Sequence, residues 1–183
     1  MSTDLKEKWL LYQLKRKNDP ELFGKLYDMY APRLYRFVYF KTHHTEIAQD
    51  LTSQIFMKTL ERIRSYDARK GSFRSWLYRL ARNAVIDHYR TERRTVQIED
   101  VWDIKDHRPV SPTLEDELLL KEVGSLMTGL TSIERDVLVL RIWQGLPHRD
   151  IAMIIGKNET NCKKIYSRAI QKLKNIIPHT LHI

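Results

Sequence analysis

Apolar residues recur at three- and four-residue steps through most of the chain, the period of α-helices with one buried face. Asp19 followed by Pro20 predicts an N-cap with proline at the first helical position. Leu22, Phe23, Leu26, Tyr30, Leu34, Phe37 and Val38 then form one stripe, with a bend expected at Pro32. Thr45 is expected to cap the next helix, with Ile47 or Ala48, Leu51, Ile55, Leu60 and Ile63 facing inward. Tyr66 to Ser72 reads as a short polar turn in which Gly71 is free to take a positive φ. The clearest pattern follows: Phe73, Trp76, Leu77, Leu80, Ala81, Ala84, Val85 and His88 make a continuous apolar stripe behind Ser72 as cap. The opposite face carries Arg79, Arg82, Asn83, Ile86 or Asp87, Arg90 and Arg93.

The pattern lapses from Val96 to Pro112, where Pro109 and Pro112 interrupt an acidic stretch whose apolar exceptions are Trp102 and Ile104. It resumes with Thr113 as cap for Leu114, Leu118, Leu119, Val123, Leu126 and Met127. Thr131 and Glu134 have capping-box spacing, the threonine oxygen taking one free amide and the glutamate reaching back to another. Ile133, Val137, Leu138, Ile142 and Trp143 follow as the inward face. A short helix from His148 to Ile155, a turn at Gly156 to Asn158 and a last helix from Glu159 to about Ile177 complete the chain. No strand-like alternation runs beyond a few residues, so the fold is expected to be all-α. It divides into two small helical domains, 1–95 and 113–183, joined by an acidic linker at 96–112.

Charge changes this picture more than composition does. The 183 residues carry a net charge of +9, distributed in blocks. Residues 64–94 are net +6, 96–122 net −5 and 157–174 net +5. One basic run alone reads as a solvated helix face. Two such blocks separated by an acidic one point to two modules that each touch a polyanion. The single cysteine, Cys162, excludes a disulfide framework and a multi-cysteine zinc site. His43 and His44 are adjacent and so point to different faces, and His148, His179 and His182 have no matching ligand set. With no glycine-rich phosphate loop and no nucleophile elbow, the sequence offers no catalytic residue, no cofactor site and no small-molecule substrate. No apolar run is long enough to span a bilayer, and a cytoplasmic protein is expected.

Leu146 to Lys174 has helix-turn-helix form: Ile151, Ala152 and Ile155 face inward, Gly156 turns the chain, and a basic helix follows. In such motifs the second helix enters the major groove of DNA. Asn161, Lys163, Lys164, Ser167 and Arg168 form its polar face, while Cys162, Ile165 or Tyr166, Ala169 and Leu173 face inward.

Three stretches together resemble the extracytoplasmic-function sigma factors, the smallest class of bacterial RNA polymerase sigma factors. They are LYDMYAPRLYR at 26–36; AQDLTSQIF at 48–56 with FRSWLYRLARNAVIDHYR at 73–90; and the helix-turn-helix. The resemblance implies that 1–95 is sigma region 2, which binds the clamp helices of core RNA polymerase and recognises and melts the minus-10 promoter element. It implies that 113–183 is region 4, which binds the polymerase flap and reads the minus-35 element in duplex DNA.

By motif position the clamp-binding residues are Asp50, Gln54, Lys58 and Arg62, although the family usually has Gln-Glu where Ser53 and Gln54 stand. The turn aligns with the loop that holds a base of the melted strand, implicating Arg69, Lys70 and Ser72. Arg79, Asn83, Asp87 and Arg90 align near the upstream edge of that element. Asp87 is equally suited to pairing with Arg90 or Arg94, and Asn161 either to an adenine edge or to capping a helix end. Asn161, Lys163, Lys164, Ser167 and Arg168 align with minus-35 contacts, in a segment that departs from the family's usual Thr-Val-Lys-Ser-Arg. An anti-sigma factor is a further partner the family admits. The competing reading is a stand-alone helix-turn-helix regulator, which would leave the basic turn and the arginine-faced helix of the N-terminal half without a purpose.

Overall fold

In the computed structural model the described residues are 3–17, 19–95 and 124–176. They form helices joined by turns, with no strand among them. The acidic stretch 96–112, the expected helix from Thr113 as far as residue 123 and the end of the last helix at Ile177 lie outside the described residues. The end of the helix expected from Thr113 is described at 124–126, with Leu126 half-buried and Met127 buried as expected.

Helix α1 spans Thr3–Arg16 and α2 spans Pro20–Thr42. Asp19 caps α2 as expected, its carboxylate accepting from the amides of Glu21 (2.9 Å) and Leu22 (3.5 Å). Pro32 sits within an unbroken α2. His43 ends it in the left-handed region (φ 51°), a conformation that costs a non-glycine residue about 1 kcal/mol. The chain thereby turns straight into α3, Thr45–Arg62. The cap of α3 is His44, not Thr45: the His44 imidazole accepts from the Ile47 amide, and Thr45 is already helical. Ile63 is buried as expected but belongs to a 3₁₀ turn, Ile63–Ser65. Leu60 is only half-buried, and Phe56 and Thr59 are buried on the same helix.

A second 3₁₀ turn, Ala68–Lys70, leads to Gly71 (φ 151°) and then to α4, Phe73–Thr95. Ser72 accepts from the Ser75 amide (3.2 Å), which is the expected cap. Phe73, Leu77, Ala81, Ala84 and Val85 are buried as the stripe requires, and Tyr78 joins them fully buried. Trp76, Leu80 and His88 are half-buried. Tyr78 packs edge-on to Phe37 of α2 (5.2 Å), and Phe73 likewise meets Tyr30 (5.4 Å), so aromatic contacts tie α4 to α2.

In the second half α5 spans Ser132–Leu138, α6 His148–Ile155 and α7 Glu159–Ile176. The capping box at Thr131 and Glu134 is formed in both directions. Beyond α5 the chain makes a π-helical turn, Val139–Trp143. Its wider winding changes the register, so Val139 and Leu140 are buried while Ile142 and Trp143, expected inward, are 50% and 38% exposed. Gly156 caps α6 in the left-handed region (φ 68°), where only glycine fits without strain. Ile151, Ala152, Ile154 and Ile155 pack under α7 against Cys162 and Ala169. The apolar interior is continuous between the two halves.

Candidate nucleic-acid interface

Two surfaces carry the residues singled out from the sequence. The first is the turn before α4 and the helix face that continues it. Asp67 caps the Ala68–Lys70 turn by accepting from the Arg69 amide (3.0 Å), and the same carboxylate takes two bonds from the Arg69 guanidinium (3.1 and 3.0 Å). The Arg69 side-chain and amide bonds hold the Asp67 carboxyl down to about 2, so this turn keeps its shape across the ordinary pH range. Tyr66 closes the loop by donating to Gly71 O (3.1 Å), and Lys15 of α1 donates to Tyr66 O while lying over its ring. A pocket of about 160 Å³ opens here, lined by Tyr66, Lys70, Ser75, Trp76, Arg79 and Met153. Tyr66, Phe73 and Trp76 form one aromatic cluster with centroids 5.5–5.7 Å apart. From its mouth Arg79, Asn83, Asp87 and Arg90 run along α4, all exposed and at helical spacing.

The second surface is α7. Asn161, Lys163, Lys164, Ser167 and Arg168 are all exposed on it. Asn158 is the cap, its side chain accepting from the Asn161 amide (2.8 Å). Asn161 therefore does not cap, and its side chain is turned to solvent. Lys163 pairs with Glu159 one turn earlier (2.7 Å). Cys162 is fully buried, and burial pushes its thiol pKa up, which makes it an inert packing residue. On α3, Asp50, Gln54 and Arg62 are exposed and Lys58 half-exposed along one stripe. Met57, 59% exposed beside them, went unread in the sequence.

The sequence also missed the contacts between the halves. The hydroxyls of Ser72 and Ser75 converge on Asp150 Oδ2 of α6, at 2.8 and 2.6 Å. Arg74 donates to Gln144 O (3.2 Å). Asp136 of α5, its side chain 1% exposed, is held between Lys41 of α2 and Arg82 of α4, the latter at 3.2 Å. The Phe40 and Trp143 rings meet at 5.4 Å. His43 lies against Gly124, and burial with the Arg135 charge pushes its imidazole pKa down. The C-terminal half thus contacts the edge of α4 at Ser72, Ser75 and Arg82, with Ser72 still exposed, and leaves the Arg79–Arg90 stripe open. No local spacing rule pairs Asp136 or Asp150 with residues so distant in the chain.

A helical bundle with a basic turn and an arginine-lined helix, followed by a helix-turn-helix, is the layout of a sigma factor. The match is specific. The family described as Sigma-70 region 2 covers residues 26–95, and that described as Sigma-70, region 4 covers 120–173. The ECF RNA polymerase sigma factor SigM of Bacillus subtilis is 33% identical over 153 residues, spanning 82% of this chain and 91% of its own length. The ECF RNA polymerase sigma factor BldN of Streptomyces coelicolor is 30% identical over 172 residues, 92% of this chain; the match spans 65% of BldN.

Among solved structures, CnrH in complex with the cytosolic domain of CnrY covers 95% of this chain and 98% of its own (TM-score 0.73, 20% identity). RpoE of Bartonella quintana, solved with the anti-sigma factor NepR, covers 85% and 96% (TM-score 0.66, 23% identity). These two share the fold. The chain belongs to the extracytoplasmic-function sigma factors, which direct RNA polymerase to initiate transcription at promoters. No described helix is long and apolar enough to cross a membrane.

Proposed function

We propose that residues 1–95 act as region 2, 96–112 as the linker and 113–183 as region 4 of a cytoplasmic initiation factor that contributes no catalytic group of its own. Region 2 binds the polymerase clamp through the α3 stripe of Asp50, Gln54, Lys58 and Arg62. It then captures the melted minus-10 strand at the turn. Opening duplex DNA costs a few kcal/mol per unstacked base, and stacking a base on an aromatic platform returns about 1–3 kcal/mol. The pocket beside Tyr66 and Trp76, lined by Lys70 and Ser72 and next to Arg69 in the turn, suits that exchange, and Arg79, Asn83, Asp87 and Arg90 extend it toward the upstream duplex. Region 4 docks on the flap and presents Asn161, Lys163, Lys164, Ser167 and Arg168 of α7 to the minus-35 major groove. An anti-sigma factor is the regulator expected for such a chain.

The observation that carries this reading is the continuity of a braced basic turn, an aromatic-walled pocket and an exposed arginine stripe on one helix. A plain helix-turn-helix repressor has no use for that surface. Replacing Arg69 and Lys70 together by alanine is expected to cut promoter opening on duplex templates about tenfold, with little change on a pre-melted template. Permanganate reactivity of unpaired thymines reads this directly. Equal opening by both proteins on duplex DNA would overturn the assignment.

A further inference from the structure

We infer that α1 is a second strand-binding surface, whose outward Trp9 and Tyr12 rings stack bases of the melted strand just downstream of the base held at the turn. This rests on the reading of the turn as the place where that strand is captured. It extends the site along a helix that lies ahead of the region 2 match at 26–95. Leu10, Leu11 and Leu14 bury one side of α1. The other side turns Leu5, Trp9 and Tyr12 to solvent, 55%, 48% and 56% exposed. Their spacing of four and three, continued by Arg16 four residues on, sets all four in one stripe along the helix. Scattered exposed apolar residues are ordinary on any surface. Two aromatic rings and a guanidinium in register have the make-up of a stacking platform for bases.

Charge and position select the occupant. Lys6, Lys8, Arg16 and Lys17 are exposed in and around the stripe, while Glu7 is half-buried and accepts from Tyr30 Oη. The cationic border favours a polyanion, and the rings favour one whose bases are unpaired, because a duplex hides its base faces. Lys15, next to Arg16, donates to Tyr66 O and lies over the Tyr66 ring. Helix α1 therefore reaches the pocket at its Tyr66 wall, whereas the α4 stripe leaves it at Arg79. With α4 directed to the upstream duplex, a strand passing Tyr66 onto α1 runs downstream. Arg16 donates to Tyr12 Oη (2.9 Å), and its guanidinium lies 5.6 Å from the ring centroid. That contact steadies the ring nearer the turn and keeps a positive charge beside it for a phosphate. Trp9 to Arg16 is about 10 Å of helix, room for about two bases, one on each ring.

The test uses holoenzyme, made from the full chain and core RNA polymerase, on a pre-melted template of a promoter at which this chain initiates. The half-life of the complex after a heparin challenge is the readout. Trp9→Ala with Tyr12→Ala is expected to shorten it about tenfold or more. Trp9→Phe with Tyr12→Phe keeps two rings and is expected to restore most of it. A second template carries abasic sites just downstream of the minus-10 element, which keep the phosphates and remove the bases. On it the unmodified chain and the alanine variant are expected to dissociate at the same rate, since a stacking partner already lost cannot be lost twice. Equal half-lives of the two proteins on the intact template overturn the proposal. So does an equal loss on both templates, the signature of a contact between α1 and the polymerase itself. Abasic sites within the minus-10 element test the underlying reading separately. If they leave the unmodified complex as stable as before, capture of the strand by region 2 fails and the part of α1 with it. If they destabilise that complex while the alanine variant holds the intact template normally, only the part of α1 fails.

Discussion

Asp136→Ala is expected to part the two halves of the free chain while leaving each half helical. Its carboxylate is buried between Lys41 and Arg82. Taking one member from a buried ionic group costs about 3–5 kcal/mol, because the charges left behind stay desolvated. Here those charges are two cations facing each other, and they regain water only if the halves separate. The helices keep their own supports: the Asp19 cap, the Thr131 capping box and the Gly156 turn. The penalty therefore falls on docking and shifts its equilibrium about a hundredfold or more toward the open chain.

Small-angle scattering should show the radius of gyration rising by several ångström above the ~16 Å of a compact chain of this length, with far-UV circular dichroism unchanged. An unchanged radius would mean that the apolar contacts alone hold the seam. Acidification should act in the same direction. His43 is held neutral in the closed chain by burial and by Arg135. Its contribution to docking is therefore complete above the ordinary imidazole pKa of about 6.5 and falls as pH drops below it.

The double variant Lys163→Ala, Arg168→Ala is expected to weaken holoenzyme binding to promoter duplex by about ten- to a hundredfold. Both side chains are exposed on the open face of α7, and Lys163 exchanges only a solvated partner, Glu159, for DNA. Removing a side chain that reads a base costs about 1–3 kcal/mol, and removing one that touches a phosphate lowers the salt slope by about one. Filter binding across a salt series separates the two contributions. Opening of a pre-melted template should be unaffected, since the proposed division gives that step to the other half. Equal impairment on duplex and pre-melted templates would contradict the division between α7 and the turn before α4.

Local chemistry made much of this molecule legible in advance. The α4 stripe follows from its apolar spacing, the α2 start from Asp19 and Pro20, and the α5 start from Thr131 and Glu134. In each case neighbours along the chain settle the outcome. Elsewhere geometry beyond simple periodicity decided. The π-helical turn at Val139–Trp143 broke the step that had placed Ile142 and Trp143 inside. His44 displaced Thr45 as a cap because the left-handed His43 starts the helix one residue early.

The surface residues Arg79 to Arg90 and Asn161 to Arg168 could be picked out because exposure and charge recur on one helix face. Asp67, whose bonds shape the basic turn, looked like one acid among many bases. Asp136 and Asp150 were hidden for another reason: each lies within a helix whose own pattern is satisfied, and its meaning comes from a partner more than fifty residues away.

That this chain carries core RNA polymerase to chosen promoters is tested most directly by mixing it, purified, with core enzyme and random genomic fragments. The 5′ ends of the run-off transcripts are then mapped. Discrete start sites, absent with core enzyme alone, are the predicted result. A transcript pattern identical with and without the folded chain would contradict the account.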